Sequence, residues 1–232
     1  MVILVMVACV VISFSGTHFM SEVARIFGIN QPPRVTVSTM GAIIESVRKQ
    51  GTLSTVNVGY LDQNMEVNIR FGTLGLCSVS AKHFIAGNIE AGIDLTGLTS
   101  ENINYDGGRD SLTLTLPAGR LLSCGLDAVR TQQYETSGET IFCTTNTDDM
   151  RRFASYLAIN QFREQAIDEG ILFAAQENAV STLSDMIKAL TEVEDIQIAF
   201  APESIRYIPE SCDPQPPEGF VYNRQTGLWE QQ

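Results

Sequence analysis

A chain of 232 residues with 44% hydrophobic content is long enough for one good-sized core plus extensions. Its net charge is −12, from 15 Lys+Arg against 27 Asp+Glu, with no clustered basic patch. Phosphate backbones and anionic lipid surfaces would repel it, which argues against nucleic acid as a partner.

The run Met1–Phe14 carries no charge and is almost wholly aliphatic. A spanning helix needs ~20 apolar residues, and extension through Met20 reaches about that length. No Lys or Arg precedes Arg25, so there is neither a basic signal n-region nor a charge bias to set orientation. A start site further upstream, with a short basic leader, would explain this equally well. Residues 1–20 read as a transmembrane anchor or uncleaved signal, with a buried core helix as the alternative. Residues 21–33 read as a connector ending in Gln31-Pro32-Pro33, because two prolines fit neither a helix interior nor a central strand. The acidic, lysine-poor remainder is compatible with translocation, so an extracytoplasmic domain is expected.

The expected domain spans 34–205. Arg34-Val-Thr-Val alternates like a short strand, and Ser38 caps a short amphipathic helix over roughly 39–49 that stops at Gly51. From Thr52 the period changes to two. Asp62-Gln-Asn64 supplies turn residues, and Met65, Val67, Ile69 and Phe71 continue the alternation, which predicts a hairpin within 52–71. Residues 72–75 separate it from a further extended run beginning at Leu76. Gly87, Gly92 and Gly97 then imply bulges, tight turns or close backbone approach. The flanks of Asp106-Gly-Gly-Arg-Asp110 make the clearest hairpin, and its second strand ends at Pro117. Leu121-Leu-Ser-Cys-Gly-Leu starts another strand, and Thr140-Ile-Phe-Cys143 follows a polar loop as one more.

Thr147 reads as an N-cap, with Asp148 and Asp149 in the first turn where carboxylates suit the helix dipole. Phe153, Leu157, Phe162 and Ala166 share a face. Ala175, Ala179, Leu183, Met186, Ile187 and Leu190 continue it. An unbroken helix over 148–190 would be ~64 Å long, wider than a domain of this size, so a break at Gly170 is expected. The small residues along this face suit packing against a sheet or a partner helix, and 148–190 is the candidate surface for self-association. Asp195–Phe200 returns to a strand pattern. Residues 206–232 read as a proline-rich tail in which Phe220–Trp229 form an aromatic hairpin, docked, disordered, or holding a partner peptide. The expected class is α+β: an antiparallel-rich sheet against a short N-terminal helix and a long, kinked or two-part C-terminal helical segment.

Three stretches carry a family resemblance. They are Glu90-Ala-Gly-Ile-Asp-Leu-Thr-Gly-Leu, the Leu-Thr-Leu-Thr-Leu-Pro strand ending at Pro117, and Leu121-Leu-Ser-Cys-Gly-Leu-Asp127. A helical pattern follows, from Ala166 through Gly170 and Asn178 to Ala179. Over roughly 36–200 the chain resembles the bacterial domain-of-unknown-function 4230 family. The resemblance implies an anchored domain of the cell envelope and transfers no catalytic residue.

The chemistry-bearing residues are few. Outside the apolar run lie Cys77, Cys124, Cys143 and Cys212. These allow three complete pairings, and a Cys124–Cys143 bridge between neighbouring strands is expected if the domain is extracytoplasmic. No Cys-x-x-Cys spacing points to zinc. A Cys77/His83 nucleophile pair would need one shared pocket and an orienting group. Asp106 and Asp110 suit weak calcium binding, although turn chemistry accounts for them. Glu90 and Asp94 lie in the glycine-rich box, where carboxylates fix turns by accepting backbone N–H bonds. With no P-loop, dinucleotide fingerprint or Gly-x-Ser-x-Gly, no cofactor is expected. The reading is a membrane-anchored interaction or structural module. The alternative is an envelope hydrolase or thiol enzyme using Cys77, His83 or the acids near Asp94.

Overall fold

The period-two pattern that starts at Thr52 becomes one strand of twenty residues, β1 (Thr52–Phe71), and not a hairpin. In this computed structural model β1 runs antiparallel to β2 (Cys77–Asp94), with Phe71 opposite Cys77. The structure describes residue 45 and residues 47–72, 76–138, 143, 147–191, 193–202 and 207–231. All of them belong to one unit, Ala42–Gln232. The apolar run, the connector and the 34–37 strand lie outside the described residues, as does the start of the 39–49 helix. Of that helix, Val47–Lys49 are helical with Val47 buried, and Gly51 at φ +69° follows as the stop.

Asp62-Gln-Asn64 looked like a turn because Asp62 does make one locally: its Oδ1 accepts the Asn64 N–H at 2.8 Å. The strand absorbs this as a bulge. Between Asp62 and Met65, β1 takes three steps while β2 takes two. A second extra residue lies between Ser54 and Val56. β5 (Arg120–Leu126) and β6 (Gln132–Ser137) both pair with the far side of β2, again with register shifts. These irregularities curl the sheet into a half-barrel. β6 falls where a polar loop was expected. Its alternation is invisible because only Gln133 of its six residues is less than exposed. The strand expected at 140–143 lies outside the described residues except for Cys143.

The helical segment divides as its length required. α1 (Thr147–Asp168) and α2 (Ile171–Leu190) meet at Gly170, whose φ of +82° is left-handed. Tyr60 of β1 anchors the break, since its hydroxyl donates to Glu169 Oε2 at 3.0 Å. Burial first, and then Glu169, push the Tyr60 pKa up to about 12. Phe153, Ala154, Ala158, Phe162 and Ala166 face the sheet from α1. Ala175 does so from α2, where Ala179, Leu183 and Ile187 are also buried, while Leu190 is exposed. The small residues therefore serve the chain's own core.

A smaller sheet completes the α+β architecture. β3 (Ile103–Asp106) pairs antiparallel with β4 (Ser111–Leu116), and β4 pairs parallel with β7 (Asp195–Phe200). Leu112, Leu114 and Leu116 of β4 are fully buried. The proline-rich tail belongs to the same unit. β8 (Phe220–Asn223) and β9 (Leu228–Gln231) form the aromatic hairpin, and β9 joins β1 in parallel at Ile69 and Arg70. Trp229 has no exposed surface. It packs against Phe153, Tyr156 and Tyr222 with ring centroids 4.9–5.2 Å apart.

Candidate binding cleft at the glycine-rich box

The box occupies the second half of β2, and each of its residues has a distinct job. Glu90 ties three strands together. Its Oε1 accepts from Asn57 of β1 at 3.1 Å, and its Oε2 accepts from the Ser123 hydroxyl of β5 at 2.9 Å. Gly87 and Gly92 lie inside the strand, where neighbouring backbone leaves no room for a side chain. A Cβ at Gly87 would stand 2.6 Å from the Gly125 carbonyl oxygen and 3.2 Å from the Phe162 ring. One at Gly92 would overlap the Leu53 carbonyl and stand 2.8 Å from Leu122 Cδ1. Gly97 differs: it lies in the turn after β2, with nothing within 4 Å of the Cβ position. Of the three box glycines, only Gly87 and Gly92 are held to glycine by close approach.

Asp94 closes β2. Its Oδ1 accepts the Thr96 N–H at 3.0 Å and the Thr96 hydroxyl at 2.6 Å. Its Oδ2 pairs with Arg120 Nη2 at 3.0 Å. Burial works to raise the Asp94 pKa. The Thr96 hydroxyl and N–H and the Arg120 charge together outweigh it and hold the carboxyl below its ordinary value. Arg120 also lies over the Tyr207 ring, 4.9 Å from its centroid. Its Nε is buried without a hydrogen-bond partner. These groups line a cleft of about 430 Å³ between the box and the ends of β4 and β7, with Leu98, Asn102 and Pro117 among its walls. That volume falls within the usual range for small-molecule sites.

Arg120 and Tyr207 went unnoticed in the sequence. Only the β2–β5 register, Gly92 opposite Arg120, carries the cation to Asp94, and a short motif holds no trace of that pairing.

The other candidate groups are engaged elsewhere. The expected Cys124–Cys143 bridge does not form. Cys124 joins Cys212 with Cα atoms 4.9 Å apart, and Cys77 joins Cys143 at 5.4 Å. The physical reason is the docked tail: the 3-10 turn at Glu210–Cys212 lies against β5, and Ser211 Oγ accepts the Cys124 N–H at 3.2 Å. The Arg163 guanidinium holds the Cys212 carbonyl at 2.6 Å. Cys77 therefore carries no free thiol beside His83. His83 itself is wholly buried on the core face of β2, and neither ring nitrogen has a hydrogen-bond partner. Burial pushes its pKa down, opposed in part by polar groups of Ala81, Gln133 and Met65. Asp106 and Asp110 do turn chemistry. Asp106 Oδ1 accepts the Gly108 N–H at 2.9 Å, and Asp110 accepts the Tyr105 hydroxyl at 2.7 Å. Among the described residues, no cluster of three or more His, Cys, Asp or Glu could hold a metal.

A family model described as "Protein of unknown function (DUF4230)" matches residues 45–196, well over half of the chain. The chain belongs to the DUF4230 family. The match runs from the helix before β1 to the second residue of β7, and so covers the box, Arg120 and both helices. Tyr207, Cys212 and Trp229 lie beyond it. Cys124–Cys212 thus joins a DUF4230 residue to the segment that follows the matched region. Comparison with the curated proteins and with the solved structures found no match.

Proposed function

We propose that this DUF4230 domain is a non-enzymatic interaction module of the cell envelope, tethered by its N-terminal apolar segment and folded outside the cytoplasm. The observation that carries the reading is the cysteine pairing. All four cysteines outside that segment are joined in two bridges, Cys77–Cys143 and Cys124–Cys212. Bridges of this kind persist in oxidising compartments and are rare in reducing ones. The interaction half of the proposal draws on what the reactive groups do. Asp94 and Glu90 fix backbone and strands, His83 is core, and Cys77 is bridged. A thiol or acid–base mechanism needs such groups in contact within one pocket.

Among the described residues no helix is long and apolar enough to cross a membrane, so the tether rests on the composition of residues 1–20. The test is a C-terminal alkaline phosphatase fusion, paired with thiol-alkylation mass spectrometry on the native envelope fraction. An active phosphatase and four blocked cysteines are the expected result. An inactive fusion with four alkylatable thiols would overturn the proposal.

A further inference from the structure

The cleft at the box has its cation paired, but a second concavity does not. α1 and the segment 214–224 face each other across a groove made of two hollows, of about 390 and 260 Å³, that share Tyr156 as a wall. Arg151 and Arg152 line one hollow and Arg224 the other, and neither lining contains an Asp or Glu. In a chain of net charge −12 that is a local reversal.

The reversal is real at the level of pairs. Arg151 is paired with Asp148. Among the described residues, the cations without a carboxylate partner are Arg70, Arg152, Lys188 and Arg224, and two of these four line the groove. Between them lies an apolar floor. Tyr156 is held edge-on against the buried Trp229 at 5.2 Å, and Phe220, Val221 and prolines 214, 216 and 217 supply the rest. Val221 is 45% exposed. The walls are fixed before any partner arrives. The Cys124–Cys212 bridge and the Arg163 hydrogen bond hold the start of the 214–224 segment, and Trp229 holds the end of the hairpin. A groove fixed in advance loses little conformational freedom on binding.

We propose that this groove binds a short, extended acidic peptide segment of a partner protein. An aliphatic or aromatic side chain enters between Tyr156 and Val221, and carboxylates flank it at Arg152 and Arg224. Charge complementarity selects the partner. The proposal deepens the interaction-module reading and rests on it. Its test uses purified protein, so it succeeds or fails independently of membrane topology.

The test begins with the full chain in phosphatidylcholine nanodiscs, panned against a random phage-displayed 12-residue library. Enriched peptides should carry two or more Asp or Glu around an apolar residue. Their affinity should fall about tenfold or more in the double variant Arg152→Glu/Arg224→Glu. It should hold in Lys188→Glu, which reverses an unpaired cation elsewhere. An unchanged near-ultraviolet circular dichroism spectrum for the double variant shows that it is folded. If it is not, Arg152→Gln/Arg224→Gln replaces it with the same expectation. Neutral or basic consensus peptides, no enrichment, or equal binding by the variant would each overturn the proposal. So would loss of peptide binding when a tenth of the lipid is phosphatidylglycerol, which would assign the groove to lipid headgroups instead.

Discussion

Where the tail docks, Trp229 is sealed beneath α1 beside Ile69, and Cys124–Cys212, opposite Ile89, bridges residues 88 apart in sequence. At the box end, Asp94 holds Thr96 two residues away and Arg120 on the neighbouring part of the sheet, and the β3–β4–β7 sheet carries no bridge among its described residues. Both ends close a sheet, by opposite means. Bringing a distant segment home costs loop entropy that grows with its length. A large aromatic and a disulfide offset that cost at the tail. The box's side-chain ties span less of the chain, 33 residues for Glu90 with Asn57 and with Ser123, and fitted backbone and one ion pair suffice there. Perturbations should accordingly differ in kind: steric at the box, and loss of buried area at the tail.

The largest effect is expected at the box, from the smallest added group. Gly92→Ala places a methyl against the Leu53 carbonyl, which is backbone in a paired strand and cannot swing aside. A loss of about 4 kcal/mol or outright failure to fold is expected. Gly97→Ala, five residues on, meets nothing and should stay within about 0.5 kcal/mol. Urea denaturation of the two variants side by side would decide it. Equal effects would mean that close approach at Gly92 is not what holds the box.

At the tail, Trp229→Ala removes a side chain that Phe153, Tyr156 and Tyr222 all touch. About 3–5 kcal/mol should be lost, the usual range for emptying a buried aromatic site. The hairpin should then detach while the bridge persists, so limited proteolysis should cut within 214–231 and leave Cys212 attached. Cleavage elsewhere first would show that the tail does not depend on Trp229.

Legibility in the sequence followed the same division. The box end was readable because its structure is local. The β3–β4 hairpin, the end of its strand at Pro117 and the glycine-rich end of β2 each show in a few consecutive residues. The break at Gly170 was also legible, since helix length against domain width demanded one. The aromatic hairpin of the tail was legible because it too is local, but its docking was opaque, since those contacts cross the chain. Nothing local pairs Cys124 with Cys212, or sets Trp229 beside Ile69. Asp62-Gln-Asn64 misled for a related reason. A bulge and a turn use the same Asx hydrogen bond, and only the partner strand decides between them. At the cleft, Asp94 stood out by its company of glycines, whereas Arg120 needed the β2–β5 register to be seen.

A milder way to separate the ends is acid. His83 belongs to the main sheet, on the same face as Trp229, and its pKa lies below the ordinary 6.5 because burial disfavours the cation. The unfolded chain therefore binds a proton that the folded chain refuses. Stability is complete above about pH 6.5 and declines as pH falls below it, by at most about 1.4 kcal/mol per pH unit for one proton. The polar neighbours at Ala81, Gln133 and Met65 do not titrate, and the depressed Asp94 and Asp127 act only below their ordinary 3.8. Denaturation midpoints between pH 7.5 and 5 should fall in the native chain and flatten in His83→Leu. A parallel fall in both would place the sensitive group elsewhere.

The smallest effect should come from the ion pair that first draws the eye. Asp94 and Arg120 are about a quarter and a third exposed, so solvent weakens their attraction. Asp94→Asn keeps an oxygen for the two Thr96 hydrogen bonds and loses the charge and the acceptor that face Arg120. A loss of about 1 kcal/mol is expected, well below that of Gly92→Ala earlier in the same strand. The acid limb should identify it. The depressed Asp94 pKa contributes stability that is present above the ordinary 3.8 and disappears as pH falls through the folded value. Below about pH 3 the native chain and Asp94→Asn should therefore converge in urea midpoint. If the gap instead persists undiminished at low pH, the aspartate is acting through shape and hydrogen bonding alone. Arg120 would then be held mainly by the face of Tyr207.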